Sequence, residues 1–213
     1  ARNRVWSDDY TLVSSDIEHL DNCARAHYFL ATEINKKMFE DGWSSQLEAE
    51  MIEHYQRSIE ISDEIYYGRI ELGSYLCNHN RMQEGITVFE KTEEYFPEAS
   101  DPKYYLGQAY FSQERYEEAV GMLEGSLELA SGYSDTYHLL ALSYSYVGRY
   151  EEALFTAEEK RQKFEHTESQ YYEELGFIYF NKGDLEESTK NTLKSIDYGA
   201  DAYSSYATVI GRY

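Results

Sequence analysis

The chain of 213 residues carries 40 Asp plus Glu against 19 Lys plus Arg, a formal charge of −21. Such a surface repels phosphate backbones and anionic lipid heads, so nucleic acid is not an expected partner and basic partners are favoured, although the same charge also serves simply to keep an elongated helical protein in solution. No run reaches the roughly 18 apolar residues of a membrane span, so no membrane insertion by this segment is expected.

In chain order, residues 1–21 read as an N-terminal extension. No signal-peptide pattern opens it, and Ala1 followed by Arg2 and Arg4 reads either as trimming of an initiator Met or as a piece of something longer. Trp6, Tyr10, Leu12 and Val13 are apolar anchors, Asp8 and Asp9 cap or solvate a turn, and Ser14-Ser15-Asp16-Ile17-Glu18 reads as a cap leading into a short helix. Residues 22–65 predict a divergent helix pair. Ala26, Leu30, Ile34 and Met38 make one stripe closed by Asp41-Gly42, and Ser45-Gln46-Leu47-Glu48 has capping-box spacing ahead of Met51, Tyr55, Ile59 and Ile61. The two cysteines, Cys23 and Cys77, lie 54 residues apart without metal-ligand spacing and read as buried free thiols.

From Tyr66 a period takes over. A Leu followed by a small residue occurs at Leu72-Gly73, Leu106-Gly107, Leu140-Ala141 and Leu175-Gly176, spaced 34, 34 and 35 residues apart. Four residues after each Leu comes a bulky one (Leu76, Tyr110, Tyr144, Tyr179) and thirteen after it a small one (Gly85, Ala119, Ala153, Ser188). These offsets delimit four units, residues 66–99, 100–133, 134–168 and 169–202, each a helix pair that buries its stripe only against its neighbours. Their inner turns fall at Asn80-Arg81, Glu114-Arg115, Gly148-Arg149 and Gly183-Asp184, with Asn or Gly supplying left-handed geometry in three of the four. The third unit departs from the pattern: Ala157 replaces the bulk of Phe89 and Leu123, and Lys160 replaces small Thr92 and Ser126. Looser packing is expected there, and Lys160-Arg161-Gln162-Lys163 reads as a solvated face pairing with Glu158 and Glu159 or as a basic binding patch. Residues 203–213 begin a further first helix or a terminal one. Tyr203, Tyr206, Val209, Ile210 and Tyr213 leave it apolar over much of its circumference, which implies a continuing array, a partner, or self-association through the C-terminal helix.

Offsets held through four units resemble the tetratricopeptide repeat (TPR) family. The resemblance implies an all-α, right-handed superhelical solenoid of antiparallel helix pairs acting as a non-catalytic protein-interaction scaffold with a protein or peptide partner. A second resemblance covers about 30 residues. The run Arg2-Asn3-Arg4-Val5-Trp6 through Thr11-Leu12 and Asp16, followed by Asn22-Cys23-Ala24-Arg25-Ala26-His27-Tyr28, is similar to the join in polytopic O-mannosyltransferase-like membrane proteins between a final membrane helix and an extracytoplasmic TPR tail. It implies a non-catalytic tail on the extracytoplasmic face of a membrane; without it a cytoplasmic protein is expected.

In each first helix the face opposite the packing stripe lies two before and two, five and six after the Leu, and in the TPR family that face lines the concave groove. Here it comprises Ile70, Ser74, Cys77 and Asn78, then Tyr104, Gln108, Phe111 and Ser112, then His138, Leu142, Ser145 and Tyr146, then Glu173, Phe177, Phe180 and Asn181. None is Lys or Arg, which argues against the grip on a terminal carboxylate used by the best-known TPR groove. Tyr104, Gln108, Phe111, His138, Leu142, Tyr146, Glu173, Phe177, Phe180 and Asn181 are the candidate ligand-groove residues, suited to an extended or helical peptide with apolar anchors. Two other readings stay open: that Phe111, Phe177 and Phe180 only fill the inside of a tight superhelix, and that stacked Tyr with carboxylates binds glycan or presents substrate to a glycosyl-transfer enzyme. Tyr110, Tyr116, Tyr144, Tyr150 and Tyr179 read as structural, each ring packed and its hydroxyl reaching a helix end or water. No metalloprotease, phosphate-loop or nucleophile motif occurs, the six histidines are scattered, and pairs such as Glu173-Glu174 read as solvated. No catalytic residue, metal or cofactor is therefore expected.

Overall fold

The computed structural model describes residues 9–130, 133–164 and 168–200. Every regular element among them is helical. The chain divides into two compact units, residues 1–97 and 98–213. The expected apolar surface of 203–213, the anchor Trp6 and the residues 1–8 of the join lie outside the described residues.

The first unit holds α1 (Asp9–Asp16), a 3-10 turn (Ile17–His19), α2 (Ala24–Asp41), α3 (Ser45–Ile61), α4 (Tyr66–Asn78) and α5 (Met82–Tyr95). α2 packs on α3 and α4 on α5, with α3 also against α4. Its core joins the two pairs: Leu30, Ile34 and Met38 from α2, Met51, Ile52 and Tyr55 from α3, and Leu72, Tyr75 and Leu76 from α4. Half-buried beside this core is Glu71, which accepts hydrogen bonds from the hydroxyls of Tyr28 (3.0 Å) and Tyr55 (2.7 Å), so one α4 side chain ties both preceding helices. Both cysteines lie here, free and half-buried.

Two expected caps are not formed. Ser14 lies inside α1 and turns its hydroxyl back to the carbonyl of Thr11 at 3.3 Å, a bond inside the helix that competes with capping a later one. The capping box at Ser45 is displaced by one residue: Ser44 precedes α3 in extended geometry, no side chain caps it, and the Glu48 N–H is satisfied by the Ser44 carbonyl at 2.9 Å. A true side-chain cap occurs at α11 (Leu185–Asp197), where Asp184 accepts from the Glu187 N–H.

The second unit comprises α6 (Ser100–Ser112), α7 (Tyr116–Leu129), α8 (Ser134–Tyr146), α9 (Tyr150–Lys163), α10 (Glu168–Lys182) and α11. α6 packs on α7, α8 on α9 and α10 on α11, while α8 also touches both α6 and α10. The small residues permit this approach. A Cβ on Gly107 would fall 2.6 Å from Cγ of Leu123, and one on Gly176 would fall 2.8 Å from Oγ1 of Thr192. In the third repeat both positions are small, Ala141 and Ala157, and both are buried.

At the inner turns Asn80, Gly148 and Gly183 take positive φ as expected, and so does Glu114, at +60°. The following Arg lies three residues before a carboxylate partner on the next helix: Arg81 on Glu84, Arg115 on Glu118, Arg149 on Glu152. These pairs are exposed and add little each. The same guanidinium also covers a tyrosine in the helix before the turn, Tyr110 for Arg115 and Tyr144 for Arg149.

Candidate functional site

The second unit alone carries the ten candidate groove residues, on α6, α8 and α10. The three helices are presented in one row because α8 touches α6 and α10 directly, and that adjacency follows from the Leu-Gly or Leu-Ala seam on each. Phe111, Tyr146 and Phe177 come together: the Phe111 ring stands edge-on to Tyr146 with centroids 5.7 Å apart, and Tyr146 edge-on to Phe177 at 5.6 Å. Tyr116, read from sequence as structural, joins this row by stacking flat on Tyr146 at 4.2 Å and standing edge-on to Phe111 at 5.4 Å. Phe177 is buried, whereas Phe111 and Tyr146 are half-buried and keep part of each ring open to solvent.

A polar margin runs beside the rings. Asn181 donates from Nδ2 to the Ser145 hydroxyl at 2.9 Å, while its backbone carbonyl accepts from the Tyr150 hydroxyl, also at 2.9 Å. Gln108 is exposed, and Leu142, Glu173 and Phe180 are half-buried. Tyr104 stands edge-on to Tyr105 at 5.2 Å; burial first, and the charge of Asp135 second, push its phenol upward from the ordinary value. In the first unit the corresponding face holds buried Ile70, half-buried Ser74 and Cys77, and exposed Asn78, and burial pushes the Cys77 thiol up.

One expectation is corrected. Glu174, read with Glu173 as a solvated pair, has a side chain only 3% exposed. Its carboxylate accepts from Nδ1 of His138 at 2.7 Å and from Nζ of Lys160 at 3.3 Å, joining α8, α9 and α10. Lys160 is accordingly buried, unlike the rest of its basic run. Arg161 pairs with Glu168 and Glu158, and Lys163 with Glu159. The physical reason is register. Glu174 lies one turn before fully buried Ile178, so it belongs to the inward stripe, and Lys160 sits where Thr92, Ser126 and Ser195 are buried in the other repeats. Opposite charges at two inward positions of neighbouring helices were the signal available in the sequence. A narrow crevice beside Ala157 is lined by Lys160, Arg161, Tyr171 and Glu174.

Among the described residues no three His, Cys, Asp or Glu side chains converge as metal ligands, and no helix is long and apolar enough to cross a membrane.

Residues 78–160 match the family profile of anaphase-promoting complex, cyclosome, subunit 3. No curated protein sequence matches the chain significantly. Among solved structures, YrrB, described as a TPR protein with an unusual peptide-binding site, is similar over 91% of this chain and 95% of its own, with a TM-score of 0.73 and 18% identity. PilF of Pseudomonas aeruginosa covers 91% of this chain and 85% of its own (TM-score 0.68, 16% identity). MamA from Desulfovibrio magneticus RS-1 covers 81% and 94% (TM-score 0.68, 20% identity). The fold is of the TPR type.

Proposed function

We propose that the second unit binds a peptide or protein segment along the face built by α6, α8 and α10, with the Phe111–Tyr146–Phe177 row as its apolar floor. As a TPR-type fold the chain is an interaction module with protein or peptide partners. The observation that carries the finer reading is the row itself: three rings from three successive repeats in mutual contact, two of them half-buried, on a face that holds no Lys or Arg. Such a strip suits aliphatic or aromatic anchors spaced along an extended or helical segment. Gln108, His138, Glu173 and Asn181 supply hydrogen bonds at its margin, and the chain's charge favours basic residues flanking the anchors. The likeness to YrrB, whose description names a peptide-binding site, supports the reading without assigning a ligand.

The test is a peptide array probed with the full chain and with two variants. Phe111→Ala plus Phe180→Ala removes one ring of the floor and a second half-buried aromatic among the candidate groove residues, and Gln108→Arg adds a bulky positive charge at an exposed position that packing does not need. Captured peptides should lose at least about tenfold in affinity with both variants while helicity by circular dichroism is kept. Undiminished binding by both would remove the groove from the account, and saturable binding of free oligosaccharide with no peptide captured would favour the glycan-presenting alternative. The tail of an O-mannosyltransferase-like membrane protein is a separate proposal, resting on residues 2–28. The transcript encoding this chain should specify membrane spans upstream of Ala1; their absence would end that reading.

A further inference from the structure

The titratable cluster that the peptide reading does not use lies in the first unit, where α2 meets α3. An open pocket of about 440 Å³ there is lined by Asp21, His27, Glu53, His54, Arg57 and Glu60, among others. His27 is 4% exposed, and its Nδ1 lies 2.9 Å from Nδ1 of His54. Its Nε2 lies 3.1 Å from the backbone carbonyl of Asp21. A carbonyl oxygen only accepts, so Nε2 of His27 carries a hydrogen, and in the neutral ring its Nδ1 is a bare acceptor. The tautomers follow: His54 donates Nδ1–H to His27, and Nε2 of His54 is left bare. With ring centroids 5.1 Å apart the two nitrogens meet nearly head-on, so one hydrogen fits between them and a second does not.

We propose that this shared hydrogen makes the α2–α3 pair a latch that opens on double protonation. One added proton is tolerated, because whichever ring takes it a single N–H still lies between the two Nδ1 atoms. The second sets N–H against N–H and two like charges side by side, with one ring buried; the bond is lost and the rings must part, carrying α2 away from α3.

The surroundings do not remove that clash. Asp21 lies 4.0 Å from Nε2 of His27 but also 3.6 Å from Arg57, which in turn lies 3.6 Å from Glu60. Glu53 favours a charge on His54, yet burial first and the charge of His27 second hold the His54 imidazole below its ordinary value. Among the described residues, the preceding 3-10 turn contributes Ile17 to the pocket. From α4 the nearby carboxylate, Glu71, is held by the hydroxyls of Tyr28 and Tyr55. A metal bridging the imidazoles would need converging lone pairs and further ligands. The head-on geometry and the lack of a third ligating side chain, among the described residues, argue against it.

The sign is set by the depressed His54 value. The unfolded chain binds the proton more readily, so the latch contributes its stability above the free-imidazole range, about pH 6.5, and loses it as pH falls below. The full chain is tested by nitrogen-15 NMR of the imidazoles and by amide hydrogen exchange. At neutral pH, His27 should be protonated at Nε2 and His54 at Nδ1. On acidification to about pH 5, amides of α2 and α3 should lose roughly tenfold in protection after correction for intrinsic exchange. His54→Gln, whose amide donates to the same nitrogen and does not titrate, should change less than about twofold. Protonation of His27 at Nδ1 at neutral pH, an equal acid response in the variant, or saturable binding of Zn²⁺ at neutral pH would each overturn the proposal.

Discussion

At the scale of single residues, Glu114 stands out as a side chain held in left-handed backbone, φ +60°, where two sister turns use Gly and one uses Asn. A Cβ there crowds its own carbonyl, which costs about 1–2 kcal/mol. Glu114→Gly relieves that strain but loosens the unfolded chain, so a net gain of about 1 kcal/mol is expected, read as a higher thermal midpoint. An unchanged or lower midpoint would show that the turn has relaxed around Glu114. Gly107 makes the opposite case. Its φ is unremarkable for a helix; what matters is Leu123, fully buried above it, with Cγ 2.6 Å from where a Cβ would stand. Gly107→Ala should therefore cost about 1–3 kcal/mol by urea titration. Combined with Leu123→Ala it recreates the Ala141 and Ala157 pairing of the next repeat, so the double variant should cost about 1 kcal/mol less than the sum of the singles. Strict additivity would mean the two positions do not compete for one space.

At the scale of elements, α9 is joined to α10 by charge as well as by oil. The Lys160 and Glu174 side chains, 11% and 3% exposed, meet at 3.3 Å, and His138 brings α8 to the same carboxylate. A buried pair of this kind is weakly stabilising as a whole, yet breaking it strands one charge without solvent. Lys160→Met or Glu174→Gln alone should each cost about 3 kcal/mol, and Lys160→Met with Glu174→Leu should restore most of that loss. Single variants indistinguishable from the parent in denaturant would mean that water reaches the pair. Serine serves the same joining role in other pairs by bonding to backbone: Ser126 donates to the Ser100 carbonyl at 3.1 Å and Ser188 to that of Gly176 at 2.8 Å.

At the scale of the whole molecule, tyrosine hydroxyls bonded to carboxylates recur in both units: Tyr28 and Tyr55 on Glu71, Tyr144 on Glu124, Tyr171 on Glu158. Burial, then the partner carboxylate, pushes Tyr28 up to about 12. Tyr171 is likewise pushed up to about 12 by burial and its bond to Glu158. Burial and the same kind of bond raise Tyr55 and Tyr144 as well. A phenol whose folded value lies above its free value near 10 holds its proton better in the folded state, so stability is intact below pH 10 and declines as pH rises toward 12. An alkaline titration should show one group of tyrosines ionising near pH 10 with helicity kept, and a second group ionising only as helicity is lost. A single wave with helices intact would refute the assignment.

Much of this was legible in the chain itself. The spacing of 34 to 35 residues placed the helix pairs, since residues four apart share a helical face whatever surrounds them, and the small residues marked where helices approach. The face lined by Phe111, Tyr146 and Phe177 was legible for the same reason. Periodicity determines which side of a helix a residue occupies, and no more. It left open the backbone carbonyl of Ser44 that takes the place of a side-chain cap at α3, the left-handed turn at Glu114, the burial of Glu174 with Lys160 and the meeting of His27 with His54. The last two depend on what another helix, 14 to 36 residues away, brings into reach. Local sequence sets the stripe because helical geometry is local. Whether a charge on that stripe is solvated or paired is decided only when another helix takes the water away.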